Sequence, residues 1–73
     1  MSGVAMTEPR MELDADEIEL IRLYAEGVVN EVVARQLRVS ERTVRRRIRA
    51  LCDRFGVQTP VQLVVIAARQ GVL

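Results

Sequence analysis

Arginines concentrate in one stretch of this chain, Ser40 to Phe55, at a spacing that can do chemistry. Laid on a helical wheel, Arg42, Arg45, Arg46 and Arg49 fall within an arc of about 100°. A guanidinium can fork onto guanine O6 and N7 in a major groove, or grip phosphate oxygens. Four like charges at this spacing repel one another by roughly a few tenths of a kcal/mol per pair. A helix face that only solubilises usually mixes signs, yet here only Glu41 and Asp53 bracket the run. The pattern therefore predicts an external polyanion that relieves the repulsion.

The opposite side of the same segment is apolar. Val44, Ile48, Leu51 and Phe55 lie within about 60° of one another, a core-facing stripe at helical spacing. Three further helices are expected around it. Helix 1 starts at an Asp14 N-cap with Glu17 as capping-box partner, Leu13 as staple on Ile18, and Leu20, Ile21, Tyr24 and Ala25 as apolar positions; Gly27 stops it. Helix 2 spans about Asn30 to Leu37, with Val33, Ala34 and Leu37 inward, and the small Ala34 lets it cross helix 3 closely. Arg38-Val39 turns the chain, and Ser40 caps helix 3. Helix 4 opens with Thr59, Pro60 and a Gln62 capping box and runs to Gln70, where Gly71 ends it. The expected fold class is all-α, a four-helix helix-turn-helix arrangement in residues 13–73, preceded by a flexible tail in residues 1–12.

Helix 4 is apolar on two sides. Leu63, Ile66 and Ala67 share one face, and Val61, Val64, Val65 and Ala68 share the other. A helix apolar on both sides must bury both, and a chain of 73 residues has little core to offer. The valine face is the candidate dimer contact, set against the alternative of a fully buried core helix.

Composition excludes much. The chain has no histidine and a single cysteine, so no disulfide within the chain, no metal site and no cofactor are expected. No catalytic residues are assigned: the sequence holds no Gly-rich phosphate loop and no pairing of nucleophile and base, and Asp14, Asp16 and Glu17 are better explained by capping. No signal peptide or membrane-length apolar run is visible, which predicts a cytoplasmic, nucleoid-associated protein. The formal charge of +1 hides an asymmetry: residues 1–31 carry a net −6 and residues 32–73 a net +7. The basic half can approach nucleic acid while the acidic half points away.

From helix 1 to the C-terminus the chain resembles the LuxR/GerE-type helix-turn-helix domain of bacterial transcription regulators. The resemblance rests on LYAEG at 23–27, ARQLRVSERTVRRR at 34–47, RFGV at 54–57 and AARQGVL at 67–73. It implies that helix 3 reads the major groove and helix 4 forms a two-fold dimer. Carried over by position, it makes Arg45, Arg46 and Arg49 base-edge contacts and Thr43 a phosphate contact. Arg42, at the helix N-terminus where anions are favoured, is a phosphate candidate on physical grounds. Arg47 lies on the flank of the apolar stripe and can snorkel to a phosphate. Asn30 and Arg54 complete the expected phosphate set.

This chain departs from the family pattern in several places. A usual Ser-Asn-Lys-Glu opening of helix 2 is here Val29-Asn30-Glu31-Val32, which removes a capping box and a lysine. Arg47 replaces a usual histidine, Ala50 an asparagine and Asp16 an arginine, while Pro60 stands where a basic residue often begins helix 4. Phosphate contacts are thereby concentrated on helix 3.

The expected function is a dimeric, sequence-specific DNA-binding transcriptional regulator, acting on an inverted repeat in double-stranded DNA. The chain reads as stand-alone, without a receiver or ligand-binding domain, set against the alternative that it is the output half of a longer regulator, and RNA polymerase or a regulatory protein is a further partner. Two other readings compete. One is a sigma-factor-like promoter-reading domain, which the segment after Phe55 disfavours. The other is a protein-interaction module whose acidic helix 1 docks a basic partner.

Overall fold

The structure, a computed structural model, describes residues 10–73. Most of the expected tail, residues 1–9, lies outside them. The described chain forms four helices: α1 (Ala15–Ala25), α2 (Asn30–Leu37), α3 (Glu41–Arg54) and α4 (Pro60–Arg69). No strand occurs among the described residues. The most extensive packing joins α2 to α3 and α1 to α4, so α1 bridges the helix-turn-helix pair and the C-terminal helix.

Local sequence explains where the helices begin. Asp14 Oδ1 accepts from the Glu17 N–H at 2.8 Å, and Glu17 Oε1 accepts from the Asp14 N–H at 3.0 Å, the reciprocal capping box expected there. Ser40 Oγ accepts from the Thr43 N–H at 3.0 Å and so starts α3. Thr59 and Gln62 form a second capping box in front of Pro60, whose missing N–H would have had no helical partner. Only α2 lacks a side-chain cap, because Val29 occupies its N-cap position. Its first residue is Asn30, as the loss of the Ser…Glu pair implied.

Met11, Leu20, Ile21, Leu23, Val33, Val44, Ile48, Leu51, Phe55, Leu63 and Ile66 are all buried, with Ala34, Cys52 and Ala67 filling narrower gaps between them. Every expected inward position of α3 and α4 joins this cluster. Two expectations need correction. On α1, Ala25 is exposed and Leu23 is buried in its stead, because α1 packs against both α2 and α4 and so buries a wider arc than one stripe. The domain also starts earlier than residue 13: Met11 is buried, and its N–H donates to Gln70 Oε1 at 2.9 Å, tying it to the far end of α4. Sequence periodicity was blind to Met11 because a single apolar residue outside a helix has no period.

Helix ends follow the expected glycines. Gly27, with φ 78°, follows α1, and the Val28 N–H donates back to the Leu23 carbonyl at 3.1 Å. Gly71, with φ 73°, ends α4 in the same manner after Arg69, one residue earlier than the sequence suggested.

Two substitutions test this account by urea denaturation. Thr59→Ala should lower stability by about 1 kcal/mol through loss of the cap. Leu63→Ala, at a side chain 1% exposed, should cost roughly 2–5 kcal/mol. That is a large part of the roughly 5–15 kcal/mol that holds a typical domain folded.

Candidate nucleic-acid interface

The apolar stripe of α3 is fully engaged: Val44, Ile48, Leu51 and Phe55 are each at most 6% exposed. Arg42, Arg45, Arg46, Arg47 and Arg49 are all exposed. Of these five, only Arg45 has an ion-pair partner among the described residues, Glu41 Oε1 at 3.5 Å, one helical turn back. That pair is solvent-exposed on both sides and contributes little. The face that emerges is a row of exposed guanidiniums on a rigid, capped helix, and among the described residues only Arg45 carries an ion pair, a weak one. Such a face can grip phosphates or fork onto base edges with little reorganisation.

The structure separates the arginines into two flanks. Arg45 and Arg49 line a groove of about 690 Å³ together with Tyr24, Asn30, Cys52 and Pro60. Arg47 lies on the other side and shares a recess of about 240 Å³ with Asp14, Asp16 and Glu17. It therefore sits beside the acidic start of α1, consistent with a side chain that runs along the domain. Thr43 is half-buried within the first turn of α3, where its hydroxyl oxygen accepts from Ser40 Oγ at 3.1 Å.

Asn30 and Arg54 each have an intramolecular partner. The Tyr24 hydroxyl donates to Asn30 Oδ1, so the Asn30 amide nitrogen, a donor, is left for another partner. Arg54 Nη1 donates to Glu17 Oε2 at 3.1 Å, Arg54 Nη2 donates to the Glu12 carbonyl oxygen, and the guanidinium stacks 5.0 Å from the Phe55 ring centroid. Glu17 thus serves the α1 cap through one oxygen and Arg54 through the other. Nothing in the local sequence pairs residues 17 and 54; the tertiary fold, which brings the start of α1 to the end of α3, does so.

Two residues in this region carried no sequence expectation of function. Tyr24 was read only as an apolar position, yet its hydroxyl orients Asn30. Arg38 stands exposed in the turn between α2 and α3 with φ 61°. Its signal was an absence: three helix ends carry a glycine and this one does not.

Burial is the main reason that the Tyr24 phenol is pushed above its ordinary range, with the Asn30 hydrogen bond and the Arg45 charge pulling it back. Burial likewise raises the Cys52 thiol, aided by Asp53 and opposed by Arg49.

Comparison with known proteins fits this geometry. The family described as bacterial regulatory proteins, luxR family (GerE), matches residues 11–67, beginning at the buried Met11. The chain belongs to this family, one of DNA-binding transcription regulators and not of enzymes. It is 31% identical over 62 residues to the transcriptional regulatory protein YdfI of Bacillus subtilis, covering 85% of this chain and 29% of that protein. It is 39% identical over 59 residues to Rv0890c of Mycobacterium tuberculosis, covering 81% of this chain and 7% of that protein. Among solved structures, the response regulator ChrA of a heme-sensing two-component system superposes with a TM-score of 0.77 at 27% identity. That match covers 96% of this chain and 35% of ChrA. The chain thus spans less than a third of the length of the curated relatives it matches. No described helix is long and apolar enough to cross a membrane.

A raised thiol pKa means less thiolate, and the thiolate is the reactive form. Cys52 should therefore resist iodoacetamide in the folded protein at neutral pH and react fully once urea unfolds it. Arg54→Ala should lower stability by at most about 1 kcal/mol, since the Glu17 pair is partly exposed. A double-mutant cycle with Glu17→Gln, read by urea denaturation, isolates the coupling.

Proposed function

We propose that this domain is the DNA-reading part of a transcriptional regulator and binds double-stranded DNA as a homodimer. Each copy places α3 in a major groove, with Arg45, Arg46 and Arg49 at base edges. Arg42, Thr43 and Arg47 hold phosphates, and Asn30 offers its amide nitrogen to the backbone from the start of α2. Arg54 is a strut between α3 and α1 on this reading, not a phosphate contact. The observation that carries the proposal is the exposed arginine face of α3, in which only Arg45 has an ion pair among the described residues, held rigid by a fully buried stripe on its other side.

A dimer is favoured by α4. Val61 is 71% exposed and Val65 43%, with Val64 half-buried and Ala68 exposed beside them. These are the residues of the second apolar face: Val61, Val65 and Ala68 lie open in the single chain, while Val64 also packs on the core. A small domain gains by burying such a face against a copy of itself, and a two-fold axis then sets two α3 helices about one turn of DNA apart, on an inverted repeat. Docking on RNA polymerase or on another regulatory protein, and a cytoplasmic, nucleoid-associated location, are further parts of this proposal.

Selection from a random DNA pool at two salt concentrations should return a two-fold-symmetric motif with steeply salt-dependent affinity. Bound sequences without a motif would reduce the arginine face to a non-specific clamp. Arg45→Ala or Arg49→Ala should relax the motif at one position of each half-site, at roughly 1–3 kcal/mol per lost contact. Arg42→Ala should instead weaken all sequences alike and flatten the salt slope by about 1. Val65→Asp should give a monomer by analytical ultracentrifugation and lose binding to the full repeat. A variant that stays dimeric would place the interface elsewhere.

A further inference from the structure

The chain passes through left-handed backbone at the ends of all four helices, at Gly27, Arg38, Gly56 and Gly71. Glycine enters that region freely, whereas a Cβ there crowds the following carbonyl oxygen. Three of the ends use glycine, with φ between 70° and 78°. The fourth, the turn between α2 and α3, places an arginine at φ 61° and ψ 43°. The backbone at this point needs no side chain: the Arg38 N–H donates to the Arg35 carbonyl at 3.3 Å and the Val39 N–H to the Ala34 carbonyl at 3.0 Å. Glycine would make the same turn with less strain.

Intramolecular contacts do not explain the arginine either. Arg38 is exposed and forms no salt bridge or side-chain hydrogen bond with another described residue. Arg35, nearby on the same helix, pairs with Glu31 Oε2 at 3.8 Å. Arg38 stands two residues before Ser40, the α3 N-cap, so its Cα is within about 7 Å of that cap. It adds a free cation next to the helix end that carries Arg42 and Thr43. Backbone strain at an exposed side chain that has no partner among the described residues is the kind of outlier from which a functional hypothesis can be drawn.

We propose that Arg38 is a DNA-backbone contact whose guanidinium grips a phosphate at the edge of the groove that the N-terminus of α3 enters. This rests on the DNA-binding reading above and adds to it a residue that neither the family resemblance nor the helical wheel selected.

Arg38→Gly is suited to the test because glycine fits the turn. The variant should fold with an unchanged or higher Tm. By fluorescence anisotropy on a mixed-sequence DNA duplex, its affinity should fall about tenfold, as for the loss of one charged hydrogen bond. The slope of log affinity against log salt should become shallower by about 1. Arg38→Lys should keep the slope. Arg35→Gln, which removes the same formal charge nearby, should keep both slope and affinity. Wild-type affinity and slope in Arg38→Gly would overturn the proposal. So would an equal loss in Arg35→Gln, which would make net charge the cause. If the unaltered protein fails to bind the duplex at all, the DNA-binding reading fails, and this contact with it.

Discussion

The structure depends on one narrow contact: the burial of Val44, Ile48, Leu51 and Phe55 against the rest of the domain. α3 must satisfy two opposed demands, since it has to be held firmly and yet leave most of its circumference free. A stripe of four apolar side chains meets both, because it occupies only a narrow arc of the helix. Ala34 matters for the same reason, as a small buried residue on the helix that packs most extensively against α3. A bulkier side chain there would push α2 away and loosen the grip on the stripe.

So small a domain cannot rely on its core alone, and the helix ends show how it compensates. α1, α3 and α4 each begin at a side-chain cap, which secures their first turns independently of tertiary packing. α2 has no such cap and is instead tied by the Tyr24–Asn30 hydrogen bond to the helix before it. The element with the weakest local start thus borrows its anchorage from a neighbour. That anchorage also fixes which end of the Asn30 amide is free, so a device of stability sets the polarity of a surface group.

Charge is distributed with the same economy. The acids at the start of α1 favour its helix dipole, and they also lie beside Arg47 and Arg54 on one flank of α3. The other flank and the outer face carry Arg42, Arg45, Arg46 and Arg49 away from those carboxylates. An approaching polyanion therefore meets its strongest attraction on that face, where the exposed Arg45–Glu41 pair is the one ion pair among the described residues. The flank nearest α1 is partly neutralised and serves cohesion as much as binding.

Local physics made much of this legible in the sequence. Capping residues, glycines at helix ends and the 3.6-residue spacing of apolar positions determined the four helices, the inward faces of α3 and α4, and the exposed arginine face, while α1 buries Leu23 where the spacing pointed to Ala25. These signals are written in residues close together in the chain, so they need no knowledge of the fold. Tertiary structure alone decided the pairings between distant residues. Glu17 with Arg54, Tyr24 with Asn30 and Met11 with Gln70 depend on how the helices pack, and no local pattern encodes them. The same packing gave Arg54 intramolecular partners in Glu17 and the Glu12 carbonyl, and moved the start of the domain back to Met11. It also revealed Arg38, because a left-handed φ belongs to the turn that the two packed helices impose and not to the arginine that occupies it.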